Sequence, residues 1–514
     1  MSFHQRGRLR EAEQLYRALL ARHPNFVEAH NNLGYLLQSL NRNDEALTHY
    51  LTALRIKPDF ADAMINLGNA LQALNRHEEA ISRYAAALKI RPNYPEAYLN
   101  FGNALQALNR AGEAVARYET AIALRPGYAE AHYHLGIALE KVDRRSEAKA
   151  HYERAIALKP DYPEAHNNLG NILRSLNRYE EAIAQFAQAL AIKPDYGEAQ
   201  WNEGASRLTI GDYDGGWHKH EWRRLLGIVR PRVQAPMWIG NWDLSNKTIL
   251  LYAEQGLGDT IQFARYAPLL MKQGAQVVLE VQAELASLLA SLPGAPVVRA
   301  RGEPLPRVDC QCPLLSLPLA CRTRLETIPA EVPYLFPAPD RVARWRAAIE
   351  ADIRPVIGIK WRANESTGSQ KSVPLPLLLP LIGDRRFKFV ALEKEIFESD
   401  ARLLSTLDGV TVIGDQLRDF ADTAAVIAGL DLVISVDTSV AHLAGAMAKP
   451  VWVPLQFAAD WRWMHDRTDN LWYPTARLLR QSAIGDWTNV VAALQDGVQA
   501  LERQGPMPGM RTDA

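Results

Sequence analysis

Cysteine is scarce here: Cys310, Cys312 and Cys321 are the three thiols in 514 residues. That number and spacing exclude a disulfide framework and a four-ligand zinc site, and they favour a reducing compartment. An excess of charge is lacking too. The chain balances 58 Lys and Arg against 58 Asp and Glu, so no long-range pull toward nucleic acid or an acidic membrane is expected. No uninterrupted apolar run reaches the ~18 residues of a membrane-spanning helix. The opening Met-Ser-Phe-His-Gln-Arg-Gly-Arg has no apolar signal core. A cytoplasmic protein without a transmembrane segment is therefore expected. What is present is ordinary for a soluble globular chain, 48% hydrophobic and 23% charged, with length for two to four domains.

The first two hundred residues are periodic. Proline recurs at Pro24, Pro58, Pro92, Pro126, Pro160 and Pro194, and glycine at Gly34, Gly68, Gly102, Gly136, Gly170 and Gly204, each series stepping by 34. That step is the length of a tetratricopeptide (TPR) helix-turn-helix unit. Ala46, Ala80, Ala114, Ala148 and Ala182 keep the same register, at close helix crossings. Such units stack into a superhelix with a long binding face. Asn32, Asn66, Asn100, Asn168 and Asn202 share one equivalent position, interrupted by His134. A row of amides offers donors and acceptors to an extended peptide backbone without reading its sequence, though asparagine is also common there in TPR units of any function. Residues 1–23 supply only the second helix of a unit, which implies a frayed end, a self-contact that would make a homodimer, or a start assigned too far downstream. Tyr213 to Arg224 replaces the last second helix with aromatic and basic residues and reads as a cap onto the next domain, or as a plain capping helix.

Beyond a proline-bearing linker, Gly227 to Asn246, the pattern changes to strands and helices. Thr248 to Ala253, Val277 to Val281 and Pro296 to Arg299 read as strands, with Pro306 to Pro318 punctuated by proline. A second series follows at Pro355 to Trp361, Phe387 to Leu392, Val410 to Ile413, Leu432 to Val436 and Val451 to Pro454. Two turns stand out. Glu254 to Asp259 carries glycines ahead of a helix over Thr260 to Lys272. Asp437 and Thr438, good N-cap residues, follow the strand ending at Val436 and open a helix through His442 to Met447. Free N–H groups at such a helix start suit an anion at the carboxyl edge of an open α/β sheet; an ordinary strand and helix without a ligand gives the same pattern.

The string Asp437-Thr438-Ser439-Val440-Ala441-His442, together with Gly256-Leu257-Gly258-Asp259, resembles the ADP-heptose:lipopolysaccharide heptosyltransferase family, and more closely its TPR-linked bacterial members. The matching segments are spread from Trp238 to about Tyr473. Ser439 departs from the family's usual Asp-Thr-Gly and narrows the space beside a phosphate. The resemblance implies a GT-B pair of Rossmann-like α/β halves behind an α-solenoid, an arrangement similar to that of O-GlcNAc transferase. On this reading the TPR superhelix occupies residues 1–206, the cap and linker 207–246, the acceptor-side half 247–340, the nucleotide-sugar half 341–505 and a disordered tail 506–514.

It further implies an inverting transfer from a nucleotide-sugar to an acceptor hydroxyl, of hexosyl or heptosyl type. Asp259 matches the general base; its competing role is to cap the helix from Thr260. Gly258, Lys371, Glu393, Asp437, Thr438, Ser439, Val440 and His442 match donor-binding positions. No Asp-x-Asp stands at a strand end, so no metal or other cofactor is expected, and helix-start amides would hold the phosphates. The repeats would select a protein or peptide acceptor through Asn32, Asn66, Asn100, Asn168 and Asn202, as in the asparagine ladder of O-GlcNAc transferase. Two alternatives stand beside this: a non-catalytic scaffold that senses a nucleotide, and a lipopolysaccharide-core transferase for which the repeats hardly matter. Asp460-Trp461-Arg462-Trp463 reads either as cleft floor or as an aromatic packing corner.

Overall fold

The computed structural model describes residues 9–349, 354–363 and 369–504. They form two compact units. One takes the described residues up to Ile172 with Gln188–Pro194; the other takes Leu173–Ala187 with the described residues from Asp195 onward. No helix among the described residues is long and apolar enough to cross a membrane. The tail proposed for 506–514, the first eight residues of the repeat region and Asn364 to Gly368 of the loop before Lys371 lie outside the described residues.

In the first unit each repeat pairs a helix of 13 residues with one of 14, as in Val27–Ser39 with Asn43–Ile56 and Ala61–Ala73 with His77–Ile90. The recurring glycine lies under a tyrosine of the second helix. A Cβ on Gly34 would stand 2.6 Å from Tyr50 Cε1, and Gly68, Gly102 and Gly136 meet Tyr84, Tyr118 and Tyr152 at 2.5 to 2.6 Å. The helices turn at Asn41, Asn75, Asn109 and Asp143, whose φ of 58° to 60° is left-handed, a conformation Asn and Asp tolerate better than most side chains.

The asparagine row is half-buried. Asn66 donates to Asn31 Oδ1 at 3.0 Å, Asn100 donates to Asn69 Oδ1 at 2.8 Å, and Asn168 reaches the hydroxyls of Tyr133 and Tyr152 at 3.5 Å. These amides brace neighbouring helices, which uses donor capacity that a bound peptide would need. Asn202 belongs to the second unit and accepts from Arg174 at 3.4 Å.

The second unit holds two all-parallel sheets. β1 (Thr248–Tyr252), β2 (Gln276–Val281), β3 (Val297–Ala300) and β4 (Cys310–Pro313) run in the order β3-β2-β1-β4. β5 (Val356–Lys360), β6 (Lys388–Ala391), β7 (Val410–Val412), β8 (Leu432–Ser435), β9 (Val451–Leu455) and β10 (Ala476–Arg480) run β10-β9-β8-β5-β6-β7. In each sheet the chain steps outward and then returns across its first strand. The switch points therefore lie between β1 and β4 and between β5 and β8, where ligands of open α/β sheets bind. One apolar core runs from Tyr213 and Trp217 through β1, β2 and β4 to the helices Phe420–Ala428 and Ser439–Ala446 and on to Trp472. A second fills the opposite face of the six-stranded sheet under Thr488–Gln504.

The structure corrects several sequence expectations. β4 lies inside the proline-punctuated stretch, and β10 was not expected at all. The helix placed over Thr260 to Lys272 is two helices, Leu257–Phe263 and Tyr266–Lys272. Asp259 accepts from Gly256 N–H and starts the first a turn early. Pro268 has no N–H to continue it and sits in the first turn of the second. The linker is strapped to β4: Gln311 takes the N–H of Arg232 and Val233 on Oε1, and its Nε2 donates to the carbonyls of Val233 and Ala235. The Tyr213 to Arg224 stretch folds as Tyr213–His220 and Trp222–Leu225 and is part of the second unit's core. Trp217 Nε1 donates to Thr323 O at 2.9 Å, and the fully buried Arg223 donates to Glu254 Oε1 at 3.0 Å and Ser316 Oγ at 2.8 Å.

Candidate functional site

β8 delivers the site. Its buried apolar run continues through Val436, whose N–H donates to Lys360 O at 3.0 Å and keeps the strand end beside β5. The chain then turns through Asp437 and Thr438 into the helix Ser439–Ala446. Thr438 stands at the N-cap, but its hydroxyl pairs with Ser435 Oγ at 3.0 Å and does not cap the helix. Among the described residues the N–H groups of Asp437, Thr438 and Ser439 have no partner. Uncapped amides carry the partial positive charge of the helix start.

The turn after β1 comes up against this helix. A Cβ on Gly258 would stand 2.7 Å from His442 Cδ2 and 3.5 Å from Ser439 Cα, so only glycine lets the two backbones approach this closely. His442 is 4% exposed. Its Nδ1 meets Tyr473 OH at 3.1 Å, its ring stacks on Trp463 with centroids 5.1 Å apart, and Nε2 is 4.0 Å from Asp437 Oδ1. Burial pushes the imidazole down to about 4. The ring is neutral near pH 7 and can offer a phosphate one hydrogen bond, not a charge.

Lys371 ends the short turn Ser369–Lys371 and places Nζ 2.6 Å from Asp437 Oδ2. Burial alone would lower its pKa, but the carboxylates of Asp437 and Asp460 hold it above the usual lysine value. Asp259 uses Oδ2 to accept from Gly256 N–H at 3.0 Å and Oδ1 to pair with Arg462. Burial raises the Asp259 pKa, Arg462 opposes it, and the net shift is upward. Arg462 bridges to Asp460 Oδ1 at 2.7 Å and lies over the Trp461 ring at 4.4 Å. Burial would raise Asp460, yet Arg462 and Lys371 hold its carboxyl down at about 2.

Gly258, Asp259, Lys371, Asp437, Thr438, Ser439, Val440 and His442 are thus brought to one place, linked through Arg462 and Asp460. Glu393 is set otherwise. It is 3% exposed; its Oε1 takes the N–H groups of Trp361 (3.0 Å) and Arg362 (2.8 Å), and its Oε2 pairs with Lys360 at 2.6 Å. It clamps the end of β5, with both carboxylate oxygens engaged. Arg462 falls in the Asp460 to Trp463 stretch that the sequence left between cleft floor and packing corner, and its pairing with Asp259 was not foreseen. Its signal was an arginine set between Trp461 and Trp463, with Asp460 just ahead, in the segment after β9.

Two parallel sheets meeting at their switch points, in a chain that opens with helical repeats, define the class: a repeat-linked α/β protein. Residues 2–59, 68–143 and 139–197 match tetratricopeptide repeat models, and residues 391–452, from the end of β6 into β9, match glycosyltransferase family 9 (heptosyltransferase). The chain thus carries TPR repeats together with a segment, residues 391–452, that is similar to family 9 (heptosyltransferase). It is similar to Protein FlbA of Caulobacter vibrioides, 28% identical over 322 residues, covering 56% of this chain and 53% of that protein. The chain thus spans about half the length of the curated relative it matches. Among solved structures, YrrB, a TPR protein with an unusual peptide-binding site, is 22% identical at a TM-score of 0.32, covering 36% of this chain and 95% of that one. PilF of Pseudomonas aeruginosa is 20% identical at 0.37, covering 40% and 94%.

Proposed function

We propose that this protein is an inverting, metal-independent glycosyltransferase that moves a sugar from a nucleotide-sugar to an acceptor hydroxyl in the cytoplasm, the acceptor being a protein or peptide selected by the repeats. The observation that carries this is the approach of Asp259 to the uncapped helix start at Thr438, through Gly258 packed on His442. The amides of 438–440 and the Lys371 ammonium supply positive charge for a departing diphosphate. Asp259, its pKa raised by burial, takes the proton of the acceptor hydroxyl at a carboxylate oxygen. That hydroxyl oxygen bonds to the anomeric carbon as the bond from that carbon to the phosphate oxygen breaks, and the electron pair leaves with the diphosphate. The substitution Asp259→Asn should abolish transfer, read by mass spectrometry of nucleotide released from a nucleotide-sugar panel, while nucleotide still binds in EDTA. Activity within a few-fold of wild type would remove Asp259 from the base role, and loss of binding in EDTA would remove the metal-free account.

One observation favours a second reading, a nucleotide-sensing scaffold without turnover. Both oxygens of Asp259 are engaged, one by Gly256 N–H and one by Arg462. Nucleotide binding with no released product across the panel would select it.

A further inference from the structure

We propose that Arg462 is a second cation of the donor site, whose transfer from Asp259 to an incoming diphosphate releases the base; this rests on the glycosyltransferase reading above. The network contains three carboxylates, Asp259, Asp437 and Asp460, and two cations, Lys371 and Arg462, beside a neutral His442. Each cation already has a carboxylate. A diphosphate therefore finds both cations engaged, and gains a close positive partner only if one of them turns toward it.

Arg462 is the cation equipped to do so. It holds two carboxylates at once, through Nη2 to Asp259 and Nη1 to Asp460. Its side chain is 9% exposed, and Nε is buried with no hydrogen-bond partner among the described residues. The indole Nε1 of Trp463, on the ring that stacks over His442, is a second buried N–H without a partner among the described residues. Unmatched buried donors are costly and uncommon in a finished fold. Two of them beside an uncapped helix start fit a ligand rich in acceptor oxygens, and a guanidinium fork suits phosphate better than an ammonium does.

The sequence of events follows from charge. Diphosphate oxygens draw the guanidinium from Asp259, which keeps only the Gly256 N–H and becomes a stronger base. Asp259 then accepts the acceptor hydroxyl proton in the displacement described above. The base is thus fully available only when the donor is in place.

The test is calorimetric binding of ADP, GDP, UDP and inorganic pyrophosphate to the full chain in EDTA. Wild type is expected to bind at least one nucleoside diphosphate. Arg462→Gln should weaken it at least tenfold and leave the parent nucleoside within twofold, with Arg462→Lys between. Because Asp259 competes for the guanidinium, Asp259→Asn should tighten the diphosphate severalfold, and the gain should vanish in the Asp259→Asn, Arg462→Gln double variant. A merely structural arginine would not produce that coupling. Diphosphate affinity within twofold of wild type in a folded Arg462→Gln overturns the inference. So does an Asp259→Asn that fails to tighten binding, an arm that decides even if Arg462→Gln does not fold. Either failure leaves the glycosyltransferase reading standing, provided wild type still binds a nucleoside diphosphate. Wild type that binds none removes that reading, and the inference with it.

Discussion

Adding one methyl group at Gly258 tests whether the two helix starts are as close as the site requires. The new Cβ would lie 2.7 Å from His442 Cδ2, against 3.4 Å for the near edge of ordinary contact, so about 0.7 Å must be found. The imidazole cannot retreat easily. Its Nδ1 is held by Tyr473 OH at 3.1 Å and its face by Trp463. Tyr473 in turn presses on Gly445, where a Cβ would be 2.5 Å from Tyr473 Cδ1. The helices must separate or His442 must leave its rotamer. Overpacking of this kind costs ~1–3 kcal/mol, and a Gly to Ala change in a helix returns ~0.5–1 kcal/mol, leaving a net loss of about 0–2.5 kcal/mol with its centre near 1.

Urea unfolding followed by tryptophan emission reads that loss cleanly. All 12 tryptophans lie at position 201 or later, so the signal reports the unit that carries the site. Gly112→Ala is the control, since a Cβ there meets nothing within 4 Å. Circular dichroism should show it neutral or slightly stabilising. The reasoning is refuted if Gly258→Ala is as stable as wild type and binds nucleoside diphosphate equally well, because then the approach of the two backbones is not tight.

Two further tests use the neighbouring groups. Burial pushes the His442 imidazole down to about 4 in the fold, against 6.5 for a free ring. The unfolded chain therefore takes the proton first, and about 3 kcal/mol of stability present above pH 6.5 is lost as pH falls toward 4. Tryptophan-monitored unfolding from pH 7 to 4 should show this slope and His442→Gln should flatten it; an unchanged slope would mean the ring is not held neutral. Glu393→Gln should cost about 2–3 kcal/mol by weakening the clamp on β5, with affinity for different nucleobases falling in parallel. A base-selective loss without destabilisation would instead put Glu393 against the nucleoside.

Most of the array was legible because its determinants are local. Gly34 and Tyr50 stand 16 residues apart within one repeat, and the same pair returns in the next three units. β8 and its helix were legible for the same reason, since a β-branched run and an N-cap are adjacent in sequence. β4 was not. Cys-Gln-Cys-Pro has no β-branched residue, and its strand form comes from its register with β1 and from the strap on Gln311. The Asp259 to Arg462 pair joins positions 203 apart, since 462 less 259 is 203, and no periodicity can bring them together. Glu393 shows the converse. Its motif position suggested a ligand, but its surroundings, Lys360 and two strand-end amides, settle its bonds.

These long-range pairs also bear on how large a motion the proposed chemistry needs. Two unit charges 4 Å apart interact by ~4 kcal/mol at an effective dielectric near 20, and by ~2 kcal/mol at 8 Å. A guanidinium on a flexible side chain can make that excursion by changing rotamers. Burial and Arg462 already act on Asp259 in opposite directions, so shifting one of them is enough to change its basicity. The proposed hand-over of the guanidinium therefore asks nothing of the sheets. The Gly258 to His442 contact can stay closed through the cycle, and a substitution that loosens it should harm binding and transfer together.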